Sequence, residues 1–265
     1  MNAIIPTARF SSAVLFASAL IGTAAAQTVD LDVPFVPTPP QVVDKMMEVA
    51  GVKNGDVVID LGSGDGRIAI AAAKKGARAY GVDINPVRIE EANANARQAG
   101  VADRATFSEQ NLFDTNIKDA DVITMYLLPS VNRDLRSRIL DLEPGTRIVS
   151  HAFDMGEWEA DQRINVDGRE VYFWRVPAKT QGRWTFQHNG QSIPVSLTQR
   201  FQKVEGTASL NGGSAEVKGT VDGEILRLAL DTPEGLREFH GRVNGTTLEP
   251  VAAEGTATGW TARRG

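Results

Sequence analysis

No cysteine occurs in the 265 residues. That excludes disulfides, a thiolate nucleophile and a thiolate metal site, so stability must come from buried core. Histidine is scarce too: His151, His188 and His240 are too scattered in sequence to suggest a metal centre, and none is expected. Positive charge is in deficit, with a formal net charge of −5. Nonspecific nucleic-acid binding depends on lysine and arginine neutralising phosphates, so no nucleic-acid partner is expected.

The apolar stretch Phe10 to Gly22 is short for a bilayer span. It lies in a segment whose sole charge is Arg9 and which ends in Ala24-Ala25-Ala26 before Gln27, a small-residue cleavage site. Residues 1–26 are therefore expected to be a signal peptide, with the mature protein periplasmic or secreted and lacking an integral membrane segment. No arginine pair precedes the apolar core, which argues against the twin-arginine route. No cysteine follows the cleavage site to carry a lipid. Cleavage leaves 239 residues (265 − 26) with a net charge of −6, enough for two domains.

Leu31 to Pro40 is extended and proline-rich, and Thr38 is expected to cap the helix that follows it. From there strands and helices alternate: a helix through Val42–Ala50, a strand at Asp56–Leu61, a helix from Arg67 to Lys75 and a strand at Arg78–Ile84. A helix capped by Asn85 runs to Gly100, with short strands at Arg104–Ser108, Asp121–Tyr126 and Thr146–His151 and a helix opened by Pro129. This alternation predicts an α/β domain over 27–177, a parallel sheet with helices on both faces. Beyond Val176-Pro177 the helical period vanishes. Strand-like runs are separated by Asn189-Gly190, Asn211-Gly212, Asp222-Gly223 and Asn244-Gly245, dipeptides suited to tight hairpins. Residues 178–265 are expected to form a β-rich accessory domain, an antiparallel meander closing as a small barrel or sandwich.

The most informative stretch is Val57-Val58-Ile59-Asp60-Leu61-Gly62-Ser63-Gly64-Asp65-Gly66-Arg67. An apolar strand ends in an acid and runs through a glycine-rich turn into a helix. Such a turn lets backbone approach a ligand closely and aims free N–H groups at it. Asp83, 23 positions after Asp60 at the end of the next strand, is placed to hold a ribose diol. A dinucleotide loop, G-x-G-x-x-G, would need glycine or alanine at position 67; Arg67 stands there. The pattern is D-x-G-x-G-x-G.

That pattern resembles the first motif of class I methyltransferases, which use S-adenosyl-L-methionine. The wider set VPFVPTP, VIDLGSGDGRI, GVDINP, MYLLPSVN and PGTRIVSHAFDMGEW resembles a family of exported bacterial class I methyltransferase-like proteins. VPFVPTP with DLGSGDGR is also similar to the mitochondrial lysine methyltransferases that modify the c-ring protein of the ATP synthase. The resemblance implies a Rossmann-like fold, S-adenosylmethionine as cofactor, and methyl transfer to an acceptor of the protein-lysine kind, an envelope protein if the chain is exported. It implies that Asp60 receives the methionine ammonium, directly or through water, and that Gly62, Ser63 and Gly64 pass close to the methionyl end. Asp83 would accept the ribose hydroxyls, Ile84 would pack beside adenine, and Asn111 with Leu112 would meet the adenine amino group. Asn111 stands where relatives carry aspartate; its amide oxygen can accept without charge assistance, and Asp114 is an alternative.

Three residues at strand ends are candidates for the chemistry. Tyr126 could hydrogen-bond a nucleophilic nitrogen or shield the transfer, or simply pack. His151 and Asp154 could act as base or acceptor contacts, a lone histidine there being more often structural. The proline-rich Val33 to Pro39 could lie over the cofactor or serve as a linker. Two other readings stay open: a periplasmic protein that binds a nucleoside or other small ligand on the same fold without transfer, and a structural or interaction role led by the β-rich tail.

Overall fold

The structure, a computed structural model, describes residues 35–210, 213–232 and 235–265. The expected signal peptide, Val33-Pro34 and the Asn211-Gly212 turn lie outside them.

The first part of the described chain runs α1 (Pro40–Val49), β1 (Val57–Leu61), α2 (Arg67–Lys74), β2 (Arg78–Asp83), α3 (Pro86–Gln98), β3 (Ala105–Glu109), β4 (Val122–Met125), α4 (Pro129–Ile139), β5 (Arg147–His151), β6 (Gln162–Val166) and β7 (Arg169–Arg175). The strands form one sheet in the order β3-β2-β1-β4-β5-β7-β6. β1 to β5 are parallel, while β7 runs antiparallel to both β5 and β6. The expected parallel sheet is thus a mixed one. The added pair turns at Asp167-Gly168, both at positive φ (49° and 82°), the hairpin dipeptide in its favoured place. Polar Gln162, Arg163, Asn165, Arg169 and Glu170 hide the strand pattern there, because β6 lies at the sheet edge.

Burial explains the sequence of the inner strands. One face of the sheet packs Val58, Ala79 and Val122 against Met46 and Met47 of α1, Ile68 and Ala72 of α2, and Ala92 and Ala96 of α3. The other packs Ile59, Ile123, Ile148 and Trp174 against Leu135 and Ile139 of α4. With both faces covered, β1 and β4 are near-continuous apolar runs. Asn85 caps α3 as expected, its Oδ1 accepting from Val87 N at 3.0 Å. Thr38 does not cap α1: the helix begins at Pro40, Pro39 is its N-cap, and no side chain serves the free amides.

The second part consists of β8 (Gly182–His188), β9 (Gln191–Arg200), β10 (Lys203–Leu210), β11 (Gly213–Asp222), β12 (Ile225–Thr232), β13 (Gly235–Asn244), β14 (Thr247–Pro250) and β15 (Trp260–Arg264). They form a closed antiparallel barrel, sealed where β15 pairs with β8. Closure removes the edges an open sandwich would keep. Alternate residues such as Ile193, Val195 and Leu197 point inward. The interior also holds Phe186, Phe239 and Trp260, with ring centroids 5.4–5.5 Å apart. This barrel is filled by its own side chains. The sheet ends at Arg175 and the barrel starts at Gly182; Arg175 Nη1 to Asp222 Oδ1 (2.9 Å) and Ala178 N to Gly223 O (2.8 Å) tie them.

Candidate functional site

In an open α/β sheet the crevice opens at the carboxyl ends of the strands where their order reverses, here between β1 and β4. A cleft lies there, about 860 Å³ with its open mouth included. Gly62, Ser63 and Gly64 form its floor, Asp83 and Ile84 one side, Asn111 and Leu112 the end beside β3, Tyr126 and Leu127 the other side, and Phe35 to Thr38 its outer wall.

The glycine turn is shaped by close approach. Gly62 and Gly64 have φ of 75° and 52°. A Cβ on Gly62 would sit 2.7 Å from Leu127 Cδ2, and one on Gly64 would sit 2.4 Å from Phe35 Cε2. The turn's amides are not free, contrary to expectation. Gly62 N and Ser63 N donate to Val82 O (2.9 and 2.8 Å), Gly66 N to Ser63 O (2.8 Å) and Gly64 N to Asp83 Oδ2 (2.9 Å). A loop whose N–H groups are bound to β2, with Asp65 and Asp83 on its walls, offers a phosphate little. That agrees with Arg67 in arguing against a dinucleotide.

Asp83 is held at both oxygens, Oδ1 by Asn85 N (2.9 Å) and Oδ2 by Gly64 N. Each oxygen keeps a lone pair for a diol. Ser63 lines the cleft while its Oγ is buried with no hydrogen-bond partner. These features fit S-adenosylmethionine: a glycine turn that brings backbone close to the ligand, a pre-aimed carboxylate for hydroxyls, and the half-exposed apolar Ile84 for a base.

Asp60 does not line the cleft. It is buried behind the turn, its Oδ1 accepting from Thr124 Oγ1 at 2.6 Å and its Oδ2 unpartnered. Burial pushes its carboxyl up to about 7, against the Thr124 hydrogen bond. Asn111 lines the cleft, but its Oδ1 already accepts from Phe113 N (2.9 Å), capping the short turn Leu112–Asp114. Asp114 lies outside the lining.

Of the three candidates for chemistry, only Tyr126 lines the cleft. His151 stands behind it, ring centroids 4.0 Å apart and tilted by 44°. His151 is buried, and its Nδ1 is 3.1 Å from Thr38 Oγ1. Burial, aided by the charge of Arg169, pulls its pKa down to about 4, so the imidazole is neutral at physiological pH. Asp154 is exposed and its Oδ1 accepts from Gly156 N at 3.0 Å, closing a turn. Phe153 stacks on Tyr126 at 6.4 Å.

Several lining residues escape the sequence reading: Asp65, Arg67, Arg88 and Gln110. Arg67 carried the one available signal, since it replaces a glycine. Its Nε and Nη2 grip Asp65 (2.9 and 2.5 Å to Oδ1 and Oδ2) and its Nη1 donates to Thr38 O (2.8 Å). Burial works against the charged Asp65, but the Arg67 hydrogen bonds and charge prevail and hold its carboxyl below the usual range.

Comparison with known proteins agrees with this geometry. A family model for the ANTKMT methyltransferase domain matches residues 60–162. A "Protein-lysine N-methyltransferase" of Saccharolobus islandicus is 47% identical over 138 residues, covering 51% of this chain and 86% of the relative. The "Adenine nucleotide translocase lysine N-methyltransferase" of Mus musculus is 32% identical over 131 residues, 49% of this chain and 57% of the relative. Among solved structures, an RNA methyltransferase from Salinibacter ruber in complex with S-adenosyl-L-homocysteine is 50% identical with a TM-score of 0.53, covering 55% of this chain and 96% of that one.

Proposed function

We propose that this chain, which belongs to the ANTKMT-type family of S-adenosylmethionine-dependent methyltransferases, methylates lysine side chains of a protein. The observation that carries the acceptor is the 47% identity to the archaeal protein-lysine N-methyltransferase over 86% of that relative's length. Charge supports it: a chain of net −5 suits a basic protein segment better than a polyanion. The similarity to the Salinibacter ruber RNA methyltransferase makes RNA the second reading.

When bound, S-adenosylmethionine supplies an electrophilic methyl group on a sulfonium sulfur. Asp83 would hold the ribose hydroxyls, the Gly62-Ser63-Gly64 backbone the methionyl portion, and Ile84, Asn111 and Leu112 the adenine. Tyr126 presents a phenol and an aromatic face to the acceptor nitrogen, able to hydrogen-bond it and to attract an ammonium group. His151 lies buried outside the cleft lining, held by Thr38 and weakened as a base by burial, so its role is to seat the Tyr126 ring rather than to take a proton from the acceptor. Asp154 shapes the turn beyond β5.

We also propose export, on the apolar segment within residues 1–26 and its small-residue cleavage site, which would make the acceptor an envelope protein. No helix among the described residues is long and apolar enough to cross a membrane. Fractionation of cells with the intact gene tests this: protein confined to the cytoplasm at full length overturns it.

The acceptor test incubates purified protein with methyl-labelled S-adenosylmethionine and, in parallel, total protein or total RNA from the same cells. Label recovered as methyl-lysine after acid hydrolysis is the expected result. Label in RNA alone overturns the lysine reading, and binding of S-adenosylhomocysteine without any transfer favours the ligand-binding alternative.

A further inference from the structure

We infer that Arg67 is a positioning residue for the cofactor cleft: it latches the Phe35–Thr38 segment onto the glycine turn and so holds the outer wall in place. The inference rests on the reading of the cleft as the S-adenosylmethionine site.

The wall needs a latch. Phe35, Val36 and Pro37 belong to no helix or strand, and Phe35 and Val36 are exposed to 39% and 53%. A segment without ladder hydrogen bonds is ordered only by what ties it down. Four contacts do so, each to a different part of the domain. The Phe35 ring lies on the backbone of Gly64, where a Cβ would come within 2.4 Å of it, and the Arg88 guanidinium of α3 stands 4.2 Å from its centroid. Thr38 Oγ1 meets His151 Nδ1 at the end of β5. The Thr38 carbonyl accepts from Arg67 Nη1, while the rest of that guanidinium is locked on Asp65.

The planar fork of arginine serves both acceptors at once, which a lysine ammonium at this position would not reproduce. The geometry also gives position 67 a function. The residue that departs from the dinucleotide glycine is the first residue of α2, and from there its side chain spans from the glycine turn to a segment 29 residues earlier. Releasing it would free the carbonyl of Thr38 and loosen the Phe35 ring from the floor of the cleft.

The test compares wild type with Arg67→Lys and Arg67→Ala in the full-length protein. NMR relaxation without ligand reads the backbone order parameters of the Val36 and Thr38 amides against those of β1 and β4. Calorimetry with S-adenosylhomocysteine reads the Kd. Both variants are expected to show lower order parameters at Val36 and Thr38 with β1 and β4 unchanged, and to bind S-adenosylhomocysteine roughly tenfold more weakly, on the scale of one charge-assisted hydrogen bond. Lysine should rescue neither, because it keeps the charge and loses the fork. Wild-type order parameters at Val36 and Thr38 in both variants overturn the latch. Lower order parameters with unchanged Kd overturn its role in holding the cofactor. A wild-type protein that binds no S-adenosylhomocysteine overturns the cofactor reading instead, and the order parameters alone then decide the latch.

Discussion

The hydroxyl of Thr38 lies 3.1 Å from Nδ1 of His151, a buried pair separated by 113 residues. It joins the segment that walls the cleft to the end of β5, and Tyr126 packs on the far partner. Thr38→Val keeps the shape and leaves a ring nitrogen buried without a partner, so it should cost about 1–3 kcal/mol. Thr38→Ser should recover most of that. Urea unfolding of the two variants measures it; equal stability of wild type and Thr38→Val would mean the contact contributes nothing.

Asp83 joins the Gly64 amide to the Asn85 amide and faces the cleft. Asp83→Ala should weaken S-adenosylhomocysteine binding about 10–100-fold, the scale of one or two charge-assisted hydrogen bonds. Calorimetry on folded protein checks it, and an unchanged Kd would remove Asp83 from the site.

Tyr126→Phe keeps the ring against His151 and removes only the phenolic oxygen. Cofactor affinity should stay within about twofold, while kcat falls at least about tenfold, the scale of one hydrogen bond to a charged group. A loss confined to the cofactor Kd would place the hydroxyl on the wrong side of the cleft.

Asp60 and His151 give opposite pH dependences. Asp60 rises from 3.8 to about 7, so the folded protein keeps a proton that the unfolded chain has released. Its contribution is full below pH 3.8 and is lost as pH rises through 7. His151 falls from 6.5 to about 4, so its contribution is present above pH 6.5 and is lost as pH falls through 4. Between about 4 and 6.5 the two offset each other. Asp60→Asn removes one of them, and its stability relative to wild type should be higher at pH 8 than at pH 5 by about 3 kcal/mol, since pH 5 lies two pH units below a folded pKa of about 7. Urea midpoints at the two pH values decide; a gap that does not depend on pH would show that Asp60 ionises normally.

Ala152 follows His151 with φ of 66°, a conformation that non-glycine residues rarely adopt. Its N–H donates to Glu170 O at 2.7 Å, while Phe153 N turns back to His151 O at 2.8 Å. Ala152→Gly should stabilise the protein by about 0.5–1 kcal/mol, and Ala152→Val should destabilise it. Thermal unfolding reads both signs.

The sequence by itself determined the alternating elements up to β5, the β-rich character of the tail and the cofactor class of the cleft. Short-range rules sufficed for that: period placed α1 to α4 and β1 to β5, Asn85 capped α3, Asn-Gly and Asp-Gly marked the β8–β9, β11–β12 and β13–β14 hairpins of the barrel, and D-x-G-x-G-x-G with Asp83 marked the cofactor turn. What needed the tertiary structure was every relationship between distant residues. The sequence shows Thr38 beside a helix start, where a hydroxyl normally caps; only folding brings His151 near enough to take it. Asp60 and Asp83 look alike at two strand ends, yet one is buried behind the turn and the other faces the cleft, because the turn folds back onto Val82 and covers Asp60. Arg67 reads as a missing glycine until the chain before α1 is laid across it. Hydrogen bonds over 29 and 113 residues leave no periodic trace in a sequence, since their partners are brought together by the packing of the sheet and not by the spacing of the chain.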